Sequence, residues 1–332
     1  MPHRIVYAER MYPDAAVERR IFGPEAVIDM TGAASLAELP EAACAQADGL
    51  MVFRHRLGAA DLPRFPRLRA VVRMGVGYDK LDRAALAARG VVVCNVPDYG
   101  TTEVADHAMA LMLTLRRGLL LHHDQQRGPE PSWRPAESPL IRRMGGQGFG
   151  VVGLGRIGTA AALRAKALGM RVVFFDPDLP SGTELALGIA RAPSLEALLE
   201  QADVLSLHAP LTPATRGLIG RAALARLPES AVVVNTARGP ILDLDALMES
   251  LRSGHVAGAG LDVLPEEPPQ RAHPLHAAYR ARESWLEGRL IITPHSAFHS
   301  PQAWADIRTK AAETMRAALD GRPVNVIRPE DV

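Results

Sequence analysis

Short apolar runs recur along the chain, separated by alanine-rich stretches of mixed polarity. In the first hundred residues they are Ile5-Val6-Tyr7, Gly49-Leu50-Met51-Val52-Phe53, Ala70-Val71-Val72-Arg73 and Val91-Val92-Val93. Runs this short and this apolar read as buried strands. Strands that alternate with helical patterns predict a parallel α/β sheet. Residues 101–123 then carry one long helical pattern. Thr101 and Thr102 stand where an N-cap is wanted, and Glu103 and Asp106 suit the first turn. Residues 127–139 hold four prolines and read as a loop. The α/β rhythm restarts with Gly150-Val151-Val152, Val172-Val173-Phe174-Phe175, Val204-Leu205-Ser206-Leu207, Ala231-Val232-Val233-Val234, Ala257-Gly258-Ala259-Gly260-Leu261 and Leu290-Ile291-Ile292. A helical pattern over residues 301–319 and a short tail close the chain.

The second series opens on Val151-Val152-Gly153-Leu154-Gly155-Arg156-Ile157-Gly158, and its next strand ends in Asp176. An apolar run, Gly-x-Gly-x-x-Gly, a helix, and a second run ending in an acid form the layout of a dinucleotide-binding βαβ unit. Gly153 suits the tight turn, Gly155 the approach of a pyrophosphate, and Gly158 the close packing of helix on strand. The pyrophosphate is expected on the N–H groups around Arg156, Ile157 and Gly158, and the adenosine ribose on Asp176. A single Rossmann protein usually begins with this fingerprint. Here an α/β region precedes it, which predicts one domain inserted within another.

Bulk properties narrow the class. At 332 residues, about two domains are expected, and 48% hydrophobic with 23% charged residues is ordinary for a globular enzyme. A net charge of +1 gives no field to favour nucleic acid or an anionic membrane. No apolar run approaches the roughly 18 residues that span a bilayer, and the first residues lack the apolar stretch of a signal peptide. Cys44 and Cys94 give no disulfide framework, and Cys94 sits in an apolar run as a buried thiol would. A cytoplasmic protein with neither nucleic acid nor membrane as a partner is expected. His295 and His299, and His273 and His276, have spacings that suit zinc, but no third ligand accompanies them, so no metal is expected.

Three polar motifs follow strand-like runs. They are Asn235-Thr236-Ala237-Arg238-Gly239, Leu261-Asp262-Val263 leading to Glu266-Glu267-Pro268, and Thr293-Pro294-His295. Ligands of open α/β sheets bind beyond the carboxyl ends of strands, so an Arg, a Glu and a His converge there. Hydride attack on a 2-keto acid needs such a set. An imidazolium supplies a proton to the developing alkoxide, a carboxylate holds the ring's tautomer, and a guanidinium grips the substrate carboxylate. Arg238, Glu267 and His295 fit these roles, with Glu266 the alternative carboxylate. His107, inside the long helix, reads as a packed, hydrogen-bonded histidine.

With His208-Ala209-Pro210-Leu211-Thr212 added, these motifs stand in the order of the D-isomer-specific 2-hydroxyacid dehydrogenases, which the chain resembles along nearly its whole length. The resemblance implies two Rossmann-like or flavodoxin-like parallel-sheet domains. A catalytic domain of residues 1–100 plus 297–332 would be split by an NAD-binding domain of residues 101–296. A linking and dimerisation helix near 101–123 and the loop around 129–139 would build a homodimer. NAD is the implied cofactor, and a 2-keto or 2-hydroxy acid the substrate. By the same resemblance Arg238 binds substrate, Glu267 assists the histidine and His295 is the acid/base. Asp262, Thr212, Thr236, Ala237 and Val76 would line the cofactor. Gly75, Val76 and Gly77 would meet the substrate carboxylate. Arg73 is either a second cation there or half of a structural salt bridge.

The nearest likeness is to the C-terminal-binding-protein branch of the family. It is carried by Arg73-Met74-Gly75-Val76-Gly77-Tyr78-Asp79, Cys94-Asn95-Val96-Pro97-Asp98-Tyr99 and His295-Ser296-Ala297-Phe298-His299-Ser300. That branch usually has Trp where Phe298 stands, and its stretch before the histidine is shorter than the one around residues 279–287 here. Tyr99 and Phe298 would give the substrate aromatic walls, favouring an apolar substituent over a phosphate. Two other readings stay open: an NAD(H)-sensing dimeric regulator, which the branch suggests, and a methyltransferase, which would need neither Asn-Thr-Ala-Arg-Gly nor Thr-Pro-His.

Overall fold

The computed structural model describes residues 2–269 and 273–331. The chain divides into two compact units, one of Met1–Tyr99 with Ser300–Val332 and one of Gly100–His299. The first holds a five-stranded parallel sheet of β1 (Arg4–Tyr7), β2 (Val27–Met30), β3 (Gly49–Val52), β4 (Ala70–Arg73) and β5 (Val92–Asn95), in the order β2-β1-β3-β4-β5. The second holds seven parallel strands: β6 (Gly148–Val152), β7 (Arg171–Phe175), β8 (Ala190–Arg191), β9 (Val204–Leu207), β10 (Ala231–Asn235), β11 (Val256–Leu261) and β12 (Leu290–Ile292). Their order is β12-β11-β10-β9-β6-β7-β8. The fold class is α/β with two parallel sheets. Among the described residues no helix is long and apolar enough to cross a membrane.

The inner strands are the apolar runs of the sequence because both their faces are covered. All residues of β3, β9, β10 and β11 are buried. Strands β2 and β8 have no such signal. Both are edge strands, and neither contains a buried residue.

In the first unit the helix Pro301–Leu319 lies on β3, β4 and β5 and against the helix Ala16–Phe22. Its buried Ala303, Ile307, Ala311 and Met315 recur every fourth residue, forming one apolar stripe. Arg308 on this helix forks onto Glu18 at 2.7 and 2.9 Å, and Glu18 is fully buried. Removing one partner of such a pair strands a buried charge, a loss of about 3–5 kcal/mol.

The helix expected over residues 101–123 is two helices, Thr101–Arg116 and Leu119–Arg127. Gly118 breaks it with φ +58°, and a Cβ there would stand 2.9 Å from the Ile141 side chain. Tertiary packing against Ile141, invisible in a local pattern, sets the break. The cap also differs from expectation. Gly100 is the N-cap and makes no side-chain bond, while Thr101 lies inside the helix with its hydroxyl buried and unpartnered.

The helices Thr101–Arg116 and Arg156–Ala167 cover one face of the seven-stranded sheet, and Leu195–Leu199 and Leu244–Ser253 belong to the core on the other. The long stretch near residues 279–287 belongs to this second core. Leu275, Ala278 and Leu286 are buried in it, and Tyr279 and Trp285 pack against it.

Candidate functional site

The Gly-rich turn joins β6 to the helix Arg156–Ala167. Gly153 has φ +85°, which an L side chain rarely adopts, and a Cβ on Gly158 would lie 2.1 Å from the Gly153 carbonyl oxygen. The helix therefore starts in backbone contact with the strand end. At Gly155, the N-cap, a Cβ would meet nothing within 4 Å, so the N-terminal N–H groups of a long helix open onto free space. Asp176 stands just past β7. Its Oδ2 accepts from the Leu154 N–H at 2.8 Å and its Oδ1 from that of Asp178 at 3.1 Å. An open helix N-terminus beside a fixed acid fits a dinucleotide: the first attracts pyrophosphate, the second accepts from ribose hydroxyls.

Arg191 on β8 is a nearby cation with no warning in the local sequence. Its guanidinium donates to the carbonyls of Asp176, Leu179 and Pro180 and to Glu184, so it is committed to the turn. Thr236, at the end of β10, has a buried hydroxyl without a partner, as a residue awaiting a ligand would. The Thr212 hydroxyl instead receives the Thr215 N–H at 3.2 Å, holding a local turn.

Beyond β10, Asn235 folds back on its own loop. Its amide donates to the Arg238 carbonyl at 3.0 Å and accepts from the Ala237 N–H at 3.0 Å. A Cβ on Gly239 would overlap the Leu264 carbonyl carbon at 2.0 Å, so this loop touches the one after β11 backbone to backbone. On that second loop the Leu264 N–H donates to Glu267 Oε1 at 2.8 Å, and Glu267 Oε2 lies 2.6 Å from His295 Nδ1. Glu267 is thus the carboxylate against His295. Burial works to raise its pKa, but the hydrogen bond and charge of His295, the Leu264 N–H and the Arg238 guanidinium outweigh it and hold the carboxyl below its ordinary range. A carboxylate only accepts, so His295 donates from Nδ1, and Nε2 is left for other chemistry.

His295 has φ +51°, a left-handed conformation that costs a residue with a side chain about 1–2 kcal/mol. Asp262 sustains it. Its carbonyl accepts the His295 N–H at 2.8 Å, and its buried carboxylate accepts those of Ser296 and Ala297 at 2.9 and 3.0 Å. Asp262 therefore shapes the turn, a role the sequence did not signal. Phe298, three residues on, lies against Gly100 and edge-on to His299.

The first unit carries a group of its own. Arg73 ends β4, with its guanidinium 5.6 Å from the Phe53 ring centroid. A Cβ on Gly75 would collide with Arg73 Nη1 and stand 3.4 Å from the Tyr99 hydroxyl, so the three share one spot. Asn95 donates to the Val76 carbonyl at 2.7 Å and pins the loop. The N–H groups of Val76 and Gly77 have no acceptor among the described residues. Paired free N–H groups beside a guanidinium form an anion site.

Comparison with known proteins gives one consistent picture. The family described as D-isomer specific 2-hydroxyacid dehydrogenase, NAD binding domain, matches residues 109–297. A glycerate dehydrogenase of Methylorubrum extorquens is 31% identical over 98% of this chain and 99% of its own length. A glyoxylate reductase of Korarchaeum cryptofilum is 37% identical over 80% of this chain and 78% of its own. Among solved structures, the D-lactate dehydrogenase of Aquifex aeolicus, complexed with NAD and lactic acid, superposes with a TM-score of 0.84. It is 26% identical and covers 96% of each chain.

Proposed function

The chain belongs to the D-isomer-specific 2-hydroxyacid dehydrogenases, NAD-dependent oxidoreductases acting on the CH–OH group of 2-hydroxy acids, and we propose that it interconverts a 2-keto acid and its D-2-hydroxy acid with His295 as acid/base. The observation that carries this reading is the 2.6 Å bond between His295 Nδ1 and Glu267, on a loop abutting that of Arg238.

When bound, NAD would supply the hydride chemistry of the interconversion. Gly153, Gly155, Arg156, Ile157 and Gly158 bind the pyrophosphate, and Asp176 the ribose. Thr212, Thr236, Ala237, Asp262 and Val76 line the rest of the cofactor. Arg238 grips the substrate carboxylate with its planar fork and draws charge toward the carbonyl oxygen. His295 Nε2 gives its proton to that oxygen in reduction and recovers it in oxidation. Glu267 accepts from Nδ1, which fixes the ring's tautomer and orientation and leaves Nε2 facing the chemistry. The Val76 and Gly77 N–H groups, with Gly75 and Arg73, hold the carboxylate end. Tyr99 and Phe298 contribute apolar wall, which favours a substrate with an apolar substituent.

The same residues favour an enzyme over a purely NAD(H)-sensing regulator, because a sensor has no use for a Glu–His pair. The homodimer reading is supported by Trp133, 94% exposed on the loop after the helix Leu119–Arg127. A cytoplasmic location is supported by Cys44 and Cys94, both free thiols.

The test is NADH oxidation across glyoxylate, pyruvate, hydroxypyruvate, phenylpyruvate and branched 2-keto acids, for the parent and His295→Gln. The parent should turn over at least one of them. His295→Gln should lower kcat by about 10²–10⁴-fold with NADH affinity kept. No turnover of any keto acid, or a variant as fast as the parent, overturns the reading.

A further inference from the structure

The helix Thr101–Arg116 carries His107, whose side chain keeps 25% of its exposure. Its Nε2 lies 3.0 Å from Thr293 Oγ1, and Thr293 Oγ1 lies 2.6 Å from Asp262 Oδ1. Chemistry fixes the direction of both bonds. A carboxylate only accepts, so the single proton of the Thr293 hydroxyl points at Asp262. The hydroxyl oxygen is left as acceptor, and His107 donates to it from Nε2. The Asp262 carboxylate at the end of this chain of bonds is the group that closes the turn of His295.

We infer that His107 is a positioning residue for His295. Through the Thr293 hydroxyl it fixes the Asp262 carboxylate, and with it the left-handed turn that sets His295 against Glu267. The inference rests on the reading of His295 as the acid/base, and His107 itself reaches no reacting atom. Three elements meet in the relay: the helix, the residue after β11, and the segment after β12. The Thr293 hydroxyl is held from two sides, by its own bond to Asp262 at 2.6 Å and by the His107 N–H at 3.0 Å. Without that donor the backbone frame survives. Thr293 still donates its N–H to Leu261 at 2.9 Å, and Asp262 still accepts the His295 N–H. What is lost is the angular setting of the imidazole, to which proton transfer is sensitive at displacements under 1 Å.

Two substitutions separate positioning from packing. His107→Phe fills the space and removes the donor. His107→Gln keeps an N–H at similar reach. Each is measured for kcat, for the KM of the keto acid, for NADH affinity and for thermal stability, alone and combined with His295→Gln. His107→Phe should lower kcat about tenfold, with NADH affinity and melting temperature near the parent's, and His107→Gln should restore most of the rate. In the His295→Gln background, His107→Phe should have no further effect on the residual rate, because the residue through which it acts is gone.

Parent-like kcat in His107→Phe overturns the inference. So does equal loss in the Phe and Gln variants, which is the signature of packing. A loss confined to NADH affinity, or a full additional loss in the His295→Gln background, also overturns it. If His295→Gln alone keeps the parent rate, the acid/base reading itself fails. A dead His295→Gln beside an unaffected His107→Phe refutes the positioning role alone.

Discussion

His208 gives the most direct test of how the cofactor-side strand ends are held. It follows β9, and its N–H donates to the Val152 carbonyl at 2.8 Å, just before the Gly-rich turn. Its Nε2 lies 2.8 Å from the Ser206 hydroxyl, while Nδ1 is buried with no partner. Burial pushes its pKa down from the ordinary 6.5 to about 4. The folded state therefore resists protonation, while the unfolded chain takes up a proton below pH 6.5. Stability falls as pH drops from 6.5 and levels off below about 4. At about 1.4 kcal/mol per pH unit the gap amounts to roughly 3 kcal/mol, of which about 2 kcal/mol is lost between pH 7 and pH 5. His208→Gln keeps a polar side chain and removes the titration. Urea unfolding of both proteins at steps from pH 7 to pH 5 isolates the effect, since every other titrating group is shared. The stability difference between parent and variant should shift by about 2 kcal/mol in the variant's favour on acidification. A difference that stays constant across that range refutes the neutral, dehydrated histidine.

Four other outcomes are expected. kcat/KM for NADH should exceed that for NADPH, because Asp176 repels a 2′-phosphate and Arg191 is committed to carbonyls and Glu184; preference for NADPH would take Asp176 away from the ribose. Arg238→Lys keeps the charge but loses the fork, so the keto-acid KM should rise at least tenfold and kcat fall, and an unchanged KM would exclude Arg238 from the substrate. Glu267→Gln removes the carboxylate that accepts from His295 Nδ1 and fixes the ring's tautomer, so kcat should fall, while Glu266→Gln leaves kcat in place; the opposite pattern would exchange the two carboxylates. Light scattering at micromolar concentration should give about twice the 35.7 kDa chain mass, and a value near 35.7 kDa would refute the dimer.

Much of the fold is legible because burial on both faces makes a strand locally apolar. That signal is lost at the edge strands β2 and β8, which hold no buried residue and leave no run to read, while the edge strands β5 and β12 keep buried residues and stay legible. Helix termini depend on partners far along the chain. Gly118 breaks its helix where Ile141 packs, and no pattern within residues 101–123 contains that contact. The Gly-rich turn is legible for the opposite reason. Gly153, Gly158 and Asp176 constrain one another within a few turns of chain. The strand-end motifs mark Arg238, Glu267 and His295, and the likeness to a family gives them order. What holds them is not legible. Thr293 is 186 residues from His107 and 31 from Asp262, so the bonds that shape the His295 turn leave no periodic trace.

The discontinuity of the first unit has a consequence for translation. Gly100–His299 is one uninterrupted stretch, whereas the five-stranded sheet is finished only by the helix Pro301–Leu319. Until that helix leaves the ribosome, Met51, Val72 and Cys94, all fully buried in the finished protein, lack their cover. At about 5–20 residues per second, the stretch between Tyr99 and Leu319 takes on the order of ten to forty seconds to synthesise. Over that interval the nascent N-terminal segment lacks the cover for one apolar face of its sheet. The seven-stranded unit, complete before the helix arrives, is free to fold first.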